Sequence, residues 1–233
     1  MTTISIMSGI ALRGAFETAV LPAFTQVSGF ETQVCWGPTT ALMDDIVSGE
    51  RADVAVLTDV AIRQLTQDEI LDADNQVTVA QAVLGLAARQ GDARPDISTK
   101  EAFIDALLSA RSIAFSRGGA SGIYFNKLID SLGIGERIRA RATIIPGGFT
   151  AEKLVDGEAD IAVQQISELI VVPGVEVVGR FPDEFQSATT FRAGVFKHAR
   201  HPSGVAQLIQ ALVTEEARSA YRAAGLIPDE SPL

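Results

Sequence analysis

The chain has one cysteine, Cys35, among its 233 residues, so no internal disulfide can form. Histidine is almost as scarce. His198 and His201 lie beside Lys197 and Arg200 and read as surface residues. A metal site normally draws on more His or Cys than this, so neither a metal nor a cofactor is expected. Positive charge is in deficit, with 19 Lys and Arg against 29 Asp and Glu and a net charge of −10. Nucleic acid and anionic membrane surfaces both require a basic face, so both are set aside as partners. No apolar run is long enough to span a bilayer as a helix, and direct membrane insertion is not expected. A basic n-region and a long apolar h-region are also missing: Met1-Thr2-Thr3 runs straight into the first apolar alternation. The chain as given therefore reads as cytoplasmic, or as periplasmic if a leader has been removed.

Apolar residues make up 47% of the chain and charged residues 21%, an ordinary globular balance. The length suffices for one large domain or two α/β lobes with real cores. The central stretch is Ser112–Ile134. Ile113-Ala114-Phe115 reads as a buried strand and Ser116–Gly122 as a glycine-rich loop, and from Ile123 to Leu132 apolar residues recur at helical spacing until Gly133. Strand, glycine loop and helix N-terminus together form an anion site, because first-turn N–H groups lack intrahelical partners and the helix dipole adds positive character there. Ser121 adds a hydroxyl donor and Arg117 a full charge. The same pattern also fits an ordinary βα turn with Ser121 as N-cap. Recurrence favours the functional reading. Ser8 follows the strand Thr3–Met7, and there caps the next helix or faces a ligand. Thr39 and Thr40 stand at the start of the helix after strand Glu31–Trp36, again as caps or donors. Thr58-Asp59 follows the strand Asp53–Leu57. Three strand–turn–helix units in the first 65 residues predict a parallel sheet with helices on both faces.

Further along, Leu12 to Phe24 gives one apolar helix face interrupted near Pro22, and Gln67–Asn75 reads as a polar surface loop. Val77–Arg89 reads as one long strand passing from one lobe to the other. Ser98 or Thr99 caps a helix through Leu108. Strands are predicted over Arg139–Ile145, Asp160–Val163, Val175–Val178 and Thr189–Phe196, with a helix over about Phe149 to Val155. Pro202–Leu212 and Glu215–Ala224 form two closing helices, and Pro228–Leu233 a tail. Gly49–Val56 (GERADVAV) and Gly157–Val163 (GEADIAV) are alike, which fits either chance similarity between two βαβ endings or two lobes of related topology with facing turns.

The segments ISIMSGIAL, GPTTAL, GERADVAVLTD, GGASGIYFNKLIDSLGI, GEADIAV and VPGVEVVGRFP, in this order and spacing, resemble the molybdate-binding proteins of ABC transporters and their relatives of the type II periplasmic-binding fold. The resemblance covers nearly the whole chain. It implies an α/β fold of two lobes, 1–82 plus 188–233 and 83–187, each a mainly parallel sheet flanked by helices, joined by two hinge strands. It also implies a small anion held in the cleft between helix N-termini. Carried over by position, the family's first binding serine falls on Ala11, with Ser8 nearby, and its second on Thr39. A binding backbone N–H falls on Ser121 and another near Gly147 or Gly148. The binding tyrosine falls on Gln164. Neutral donors suit molybdate and sulfate, whereas the guanidinium of Arg117 suits a carboxylate, which it can grip with two parallel bonds.

Two functions follow from the resemblance. One is a substrate-binding protein for a small oxyanion or carboxylate, with an ABC permease as partner if the protein is exported. The other is an isomerase of a di- or tricarboxylate, similar to aconitate isomerase, which needs a carboxylate clamp and one acid/base group. Thr39, Thr40, Arg117, Ser121 and Gln164 are the clamp candidates. Glu168, Asp59 and Cys35 are the groups able to move a proton, with none assigned. An effector domain of a regulator ranks third, since no helix-turn-helix or basic segment precedes the sheet.

Overall fold

The computed structural model describes residues 2–231; Met1, Pro232 and Leu233, at the two ends of the sequence readings above, lie outside them. The described chain divides into two compact units, residues 2–82 with 189–231, and Val83–Ala188.

Unit 1 is built on the strands β1 (Thr3–Gly9), β2 (Glu31–Gly37) and β3 (Val54–Thr58), which run parallel in the order β2-β1-β3. Strand β9 (Ala188–Phe196) lies antiparallel to β3, pairing Val54 with Val195 and Thr58 with Phe191. Successive side chains of a strand point to opposite faces, and here each face has its own core. Ile4, Ile6, Val54 and Val56 enter one core, under the helices α2 (Leu21–Ser28), α10 (Pro202–Ala211) and α11 (Glu215–Ala223). Met7, Ala55 and Leu57 enter the other, under α3 (Thr39–Val47) and α4 (Asp59–Gln67). Burial on both faces explains why β3 is a continuous apolar run. Phe16 anchors the first core, 6.0 Å from Trp36 and 6.3 Å from Tyr221 between ring centroids.

Unit 2 repeats the plan. The strands β5 (Ile113–Ser116), β6 (Thr143–Ile145) and β7 (Ile161–Gln165) are parallel in the order β7-β5-β6. The second part of the long strand β4 (Leu71–Arg89) runs antiparallel to β7 and to β8 (Val175–Arg180). Ile113, Phe115, Ile161 and Val163 face a core rich in phenylalanine, where Phe103 stands 4.6 Å from Phe181 and Phe115 stands 5.2 Å from Phe125. Ala114 and Ala162 face the opposite core, under α8 (Glu152–Val155) and α9 (Ile166–Leu169).

Several boundaries differ from the sequence reading, each for a physical reason. The irregularity expected near Pro22 is a π turn over Phe16–Val20, between the short helix α1 (Arg13–Ala15) and α2. Pro22 has no N–H for the carbonyl four residues back, and a widened turn relieves the mismatch. The expected loop 67–75 ends early, because β4 begins at Leu71. That residue is buried in the second core of unit 1 while Ala73, Asp74 and Asn75 face solvent, so the exposed side chains mask a strand. The strand expected over Arg139–Ile145 is only Thr143–Ile145, since Arg139 ends the short helix α7 (Gly135–Arg139) and pairs with Asp130 at 2.5 Å. Helix α5 (Lys100–Ser109) is capped by Thr99, whose hydroxyl accepts from Ala102 N–H at 3.1 Å. At the C-terminal end of the chain, Ile227-Pro228 pairs with β4 as β10 rather than starting a tail.

Candidate functional site

The carboxyl ends of parallel strands are where α/β sheets place ligands, because the following helices aim their free N–H groups there. In unit 2 this edge is unusually polar. Ten polar or charged residues are buried in the described chain, and seven of them, from Ser116 to Glu168, sit at the ends of β5 and β7 or in the turns after β5, β6 and β7. Burying such groups is costly unless each finds a partner, so their concentration here calls for a function.

The turn after β5 leads into α6 (Ala120–Ser131), which begins earlier than its apolar spacing indicates. Gly119 is the N-cap, and Ser121, which the ordinary reading made the cap, is the second residue of the helix. The reason is close approach. A Cβ on Gly122 would lie 1.7 Å from the carbonyl oxygen of Ser116, so only glycine lets the first turn of α6 press against the end of β5. The backbone of Arg117 is fixed across the edge, its N–H donating to Ile145 C=O at 2.8 Å. The first intrahelical bond runs from Ile123 N–H to Gly119 C=O, so the N–H groups of the turn before it have no intrahelical acceptor. Beside them lies Ser116 Oγ, in a residue only 2% exposed and with no hydrogen-bond partner. It is 2.6 Å from where a Cβ on Gly119 would be. Ser121 is buried as well, two residues after the N-cap. Arg117 is exposed, and among the described residues its guanidinium makes no ion pair or side-chain hydrogen bond.

The turns after β6 and β7 are tied together by Gln164. Its Oε1 accepts from Thr150 N–H at 2.8 Å and from Thr150 Oγ1 at 2.9 Å, and its Nε2 donates to Gly148 C=O at 2.9 Å. Gly148 has φ +94°, a left-handed conformation suited to glycine, and Gly147 precedes it on the same turn. Gln164 thus occupies the position where the resemblance implies a binding tyrosine, and its polar atoms shape the 148–150 turn. Helix α9 opens with a reciprocal cap: the Gln165 side chain accepts from the backbone of Glu168, and Glu168 Oε2 accepts from Gln165 N–H at 3.3 Å. Ser167 Oγ is buried there without a partner. Burial pushes the Glu168 carboxyl up to about 8, against the opposing pull of hydrogen bonds from Gln165 N–H and the Gln164 side chain.

Unit 1 presents the same edge of its own sheet. Ser8, next to last on β1, is buried, and its hydroxyl donates only a long 3.4 Å bond to Gly9 C=O. It caps no helix, since the first turn after β1 is capped by Gly9 without a side-chain bond. Ala11 is buried in that 3₁₀ turn. Thr39 and Thr40 are the first two residues of α3, and Pro38 is its N-cap, so neither threonine caps it as expected. Asp59 opens α4 and pairs with Arg63 and with Arg192 of β9, the latter at 3.3 Å. Of the other acid/base candidates, Cys35 is exposed on β2. The residues assigned from sequence therefore fall into two groups: Ser8, Ala11, Thr39 and Thr40 in unit 1, and Arg117, Ser121, Gly147, Gly148 and Gln164 in unit 2.

Ser116, Thr150, Ser167 and Arg192 had not been singled out. Ser116 was legible as the last residue of a strand before glycines. Arg192 was legible as a lone charge inside the alternating TTFRAGVF. Thr150 and Ser167 carried no pattern.

Among solved structures, the fold is that of periplasmic anion-binding proteins. The periplasmic molybdate-binding protein of Azotobacter vinelandii superposes with a TM-score of 0.81 at 17% identity, covering 99% of this chain and 100% of that one. The sulfate-binding protein of Mycobacterium tuberculosis superposes with a TM-score of 0.76 at 17% identity, covering 99% and 88%. In sequence, the chain is 30% identical to an aconitate isomerase from a Pseudomonas species over 234 residues, covering 98% of this chain and 88% of the relative. The model of one family, described as bacterial extracellular solute-binding protein, matches residues 4–227. With nearly its whole length accounted for in this way, the chain belongs to the bacterial extracellular solute-binding protein family.

Proposed function

We propose that this protein binds a small organic polycarboxylate, and that the turn after β5 supplies one of its carboxylate sites. The observation that carries the reading is the Ser116 hydroxyl, buried and unpartnered against the first turn of α6, with the unpaired guanidinium of Arg117 two residues from the helix N-cap. A carboxylate there accepts from backbone N–H and hydroxyl donors and takes a charge-assisted, two-pronged bond from Arg117. Molybdate and sulfate are the ligands named for two structural relatives, whereas the relative at 30% identity is named for aconitate, a tricarboxylate. If the protein is exported, an ABC permease is the matching partner.

A second reading, an isomerase that shifts a proton within an unsaturated tricarboxylate, is favoured by Glu168. A carboxyl raised to about 8 by burial gives and accepts a proton near neutral pH. In such an allylic shift a proton leaves the methylene carbon, the double bond moves by one position, and a proton returns to the former vinylic carbon.

The test is a thermal-shift and calorimetric panel of molybdate, tungstate, sulfate, citrate, succinate and cis- and trans-aconitate. Ligand at about a hundred times Kd adds roughly 2.7 kcal/mol of stability. Stabilisation by the carboxylates, reduced by about 1.5–3 kcal/mol of binding energy in Arg117→Ala, supports the reading. Stabilisation by molybdate or tungstate alone overturns it. NMR of cis-aconitate with the same sample decides the second reading. Turnover lost in Glu168→Gln with binding retained supports it, and no turnover by the wild type removes it.

A further inference from the structure

A second feature of unit 1 has the chemistry of a carboxylate site, and no sequence motif marks it. Arg192 sits within β9, opposite Leu57 of β3 and next to Phe191, which pairs with Thr58 at the end of that strand. By register it lies level with Gly9, the last residue of β1, at the carboxyl edge of the unit 1 sheet. A guanidinium carries five N–H donors. Among the described residues Arg192 uses one of them, in a 3.3 Å bond from Nη1 to Asp59 Oδ1, while its Nε is buried without any acceptor. The side chain as a whole is 27% exposed, so part of it meets solvent although Nε does not. Asp59 is shared with Arg63, so two guanidinium groups meet one carboxylate and the cluster keeps one positive charge in a chain of net charge −10.

We propose that Arg192, tethered by Asp59, is a carboxylate-binding residue of unit 1. The ion pair with Asp59 uses only Nη1, and Nη2 together with the second N–H of Nη1 makes the end-on fork that a carboxylate can meet with two parallel bonds. A lysine in its place would keep the charge and lose the fork. The inference rests on the polycarboxylate reading above and concerns unit 1 alone.

The test uses the whole chain with trans-aconitate and citrate as probes. The arginine Nε–H resonances of labelled protein are recorded by NMR, and that of Arg192 is identified by its loss in Arg192→Lys. Saturable displacement of this resonance by either probe, slower exchange of its proton with water, and affinity lowered about 10- to 100-fold in Arg192→Gln are expected, with a smaller loss in Arg192→Lys. An unmoved Arg192 resonance and unchanged Arg192→Gln affinity, in a wild-type protein that binds the probes, overturn this inference and leave the polycarboxylate reading standing. Wild-type protein that binds neither probe overturns both. Melting without ligand separates a folding defect in Arg192→Gln from a binding defect. If that variant does not fold, the resonance of the wild type and the affinity of Arg192→Lys decide the matter.

Discussion

Glu168 links the site to the stability of the fold, and its pH dependence can be worked out in full. The carboxyl is held at about 8 in the folded chain by burial, against an ordinary value of 4.5. Below pH 4.5 the group is protonated in folded and unfolded chains alike and contributes no pH dependence. Between 4.5 and about 8 the unfolded chain gives up the proton while the folded chain keeps it, so stability falls as pH rises, by about 1.4 kcal/mol per pH unit. Above about 8 the folded chain ionises too, and the loss levels off at roughly 4–5 kcal/mol. Glu168→Gln removes the titration and keeps an oxygen able to accept from Gln165 N–H. Urea unfolding of both proteins from pH 4.5 to pH 9 reads the difference directly, as the displacement of the midpoint at constant slope. The two should lie within about 1 kcal/mol of each other near pH 5, and the variant should be the more stable by several kcal/mol at pH 8.5. Parallel profiles across this range would refute the reasoning, because they would mean that Glu168 is ionised in the folded protein at an ordinary pH.

Three other substitutions test the frame around the site. Gly122→Ala forces a Cβ to within 1.7 Å of the Ser116 carbonyl oxygen; it should destabilise unit 2 by at least about 1–3 kcal/mol in urea unfolding and displace the first turn of α6, lowering carboxylate affinity. Gln164→Leu strands the buried N–H of Thr150 and the Gly148 carbonyl and leaves the Thr150 hydroxyl only a 3.3 Å bond to Val163 C=O; a loss of about 1–3 kcal/mol of stability is expected, and a variant as stable as wild type would exclude the clamping role described here. Asp53 is buried at the opposite edge of the unit 1 sheet and accepts from Ser5 N–H, Ser5 Oγ and Arg200 N–H at 2.7–2.8 Å. Burial works to raise its carboxyl, and these bonds together outweigh it and hold it below its ordinary 3.8. The stability it contributes is present above 3.8 and is lost as pH falls through the lower folded value, so Asp53→Asn should flatten the acid limb of the stability profile measured by denaturant unfolding below pH 4.

The parallel sheets were legible because their strands obey simple rules. Val54–Thr58 and Ile113–Ser116 are short apolar runs followed by turn residues and a helical pattern, and burial on both faces makes such runs continuous. What escaped was set by exposure and by distance along the chain. The start of β4 was hidden because its side chains from Ala73 to Asn75 meet water, while Leu71 alone signals the core. The start of α6 was hidden because its first turn, Ala120-Ser121-Gly122, contributes backbone and small side chains to the end of β5 instead of an apolar stripe.

The site shows the same division. Arg117 in the glycine-rich turn and Ser121 at the start of α6 are close in sequence, so local chemistry alone makes them candidates for an anion site. The role of Gln164 needed the fold, because its partners Gly148 and Thr150 are 14 to 16 residues away. Arg192 needed it still more. Its link to Asp59 spans 133 residues, and only the pairing of β9 with β3 brings the two together. A charged residue in the middle of an apolar strand is nonetheless a signal in its own right, because the strand sacrifices burial to carry it. Where the sheet then leaves the buried Nε without an acceptor among the described residues, as it does for Arg192, packing and pairing within the chain account for only part of the cost, and the carboxylate proposed above would be a further partner for the guanidinium.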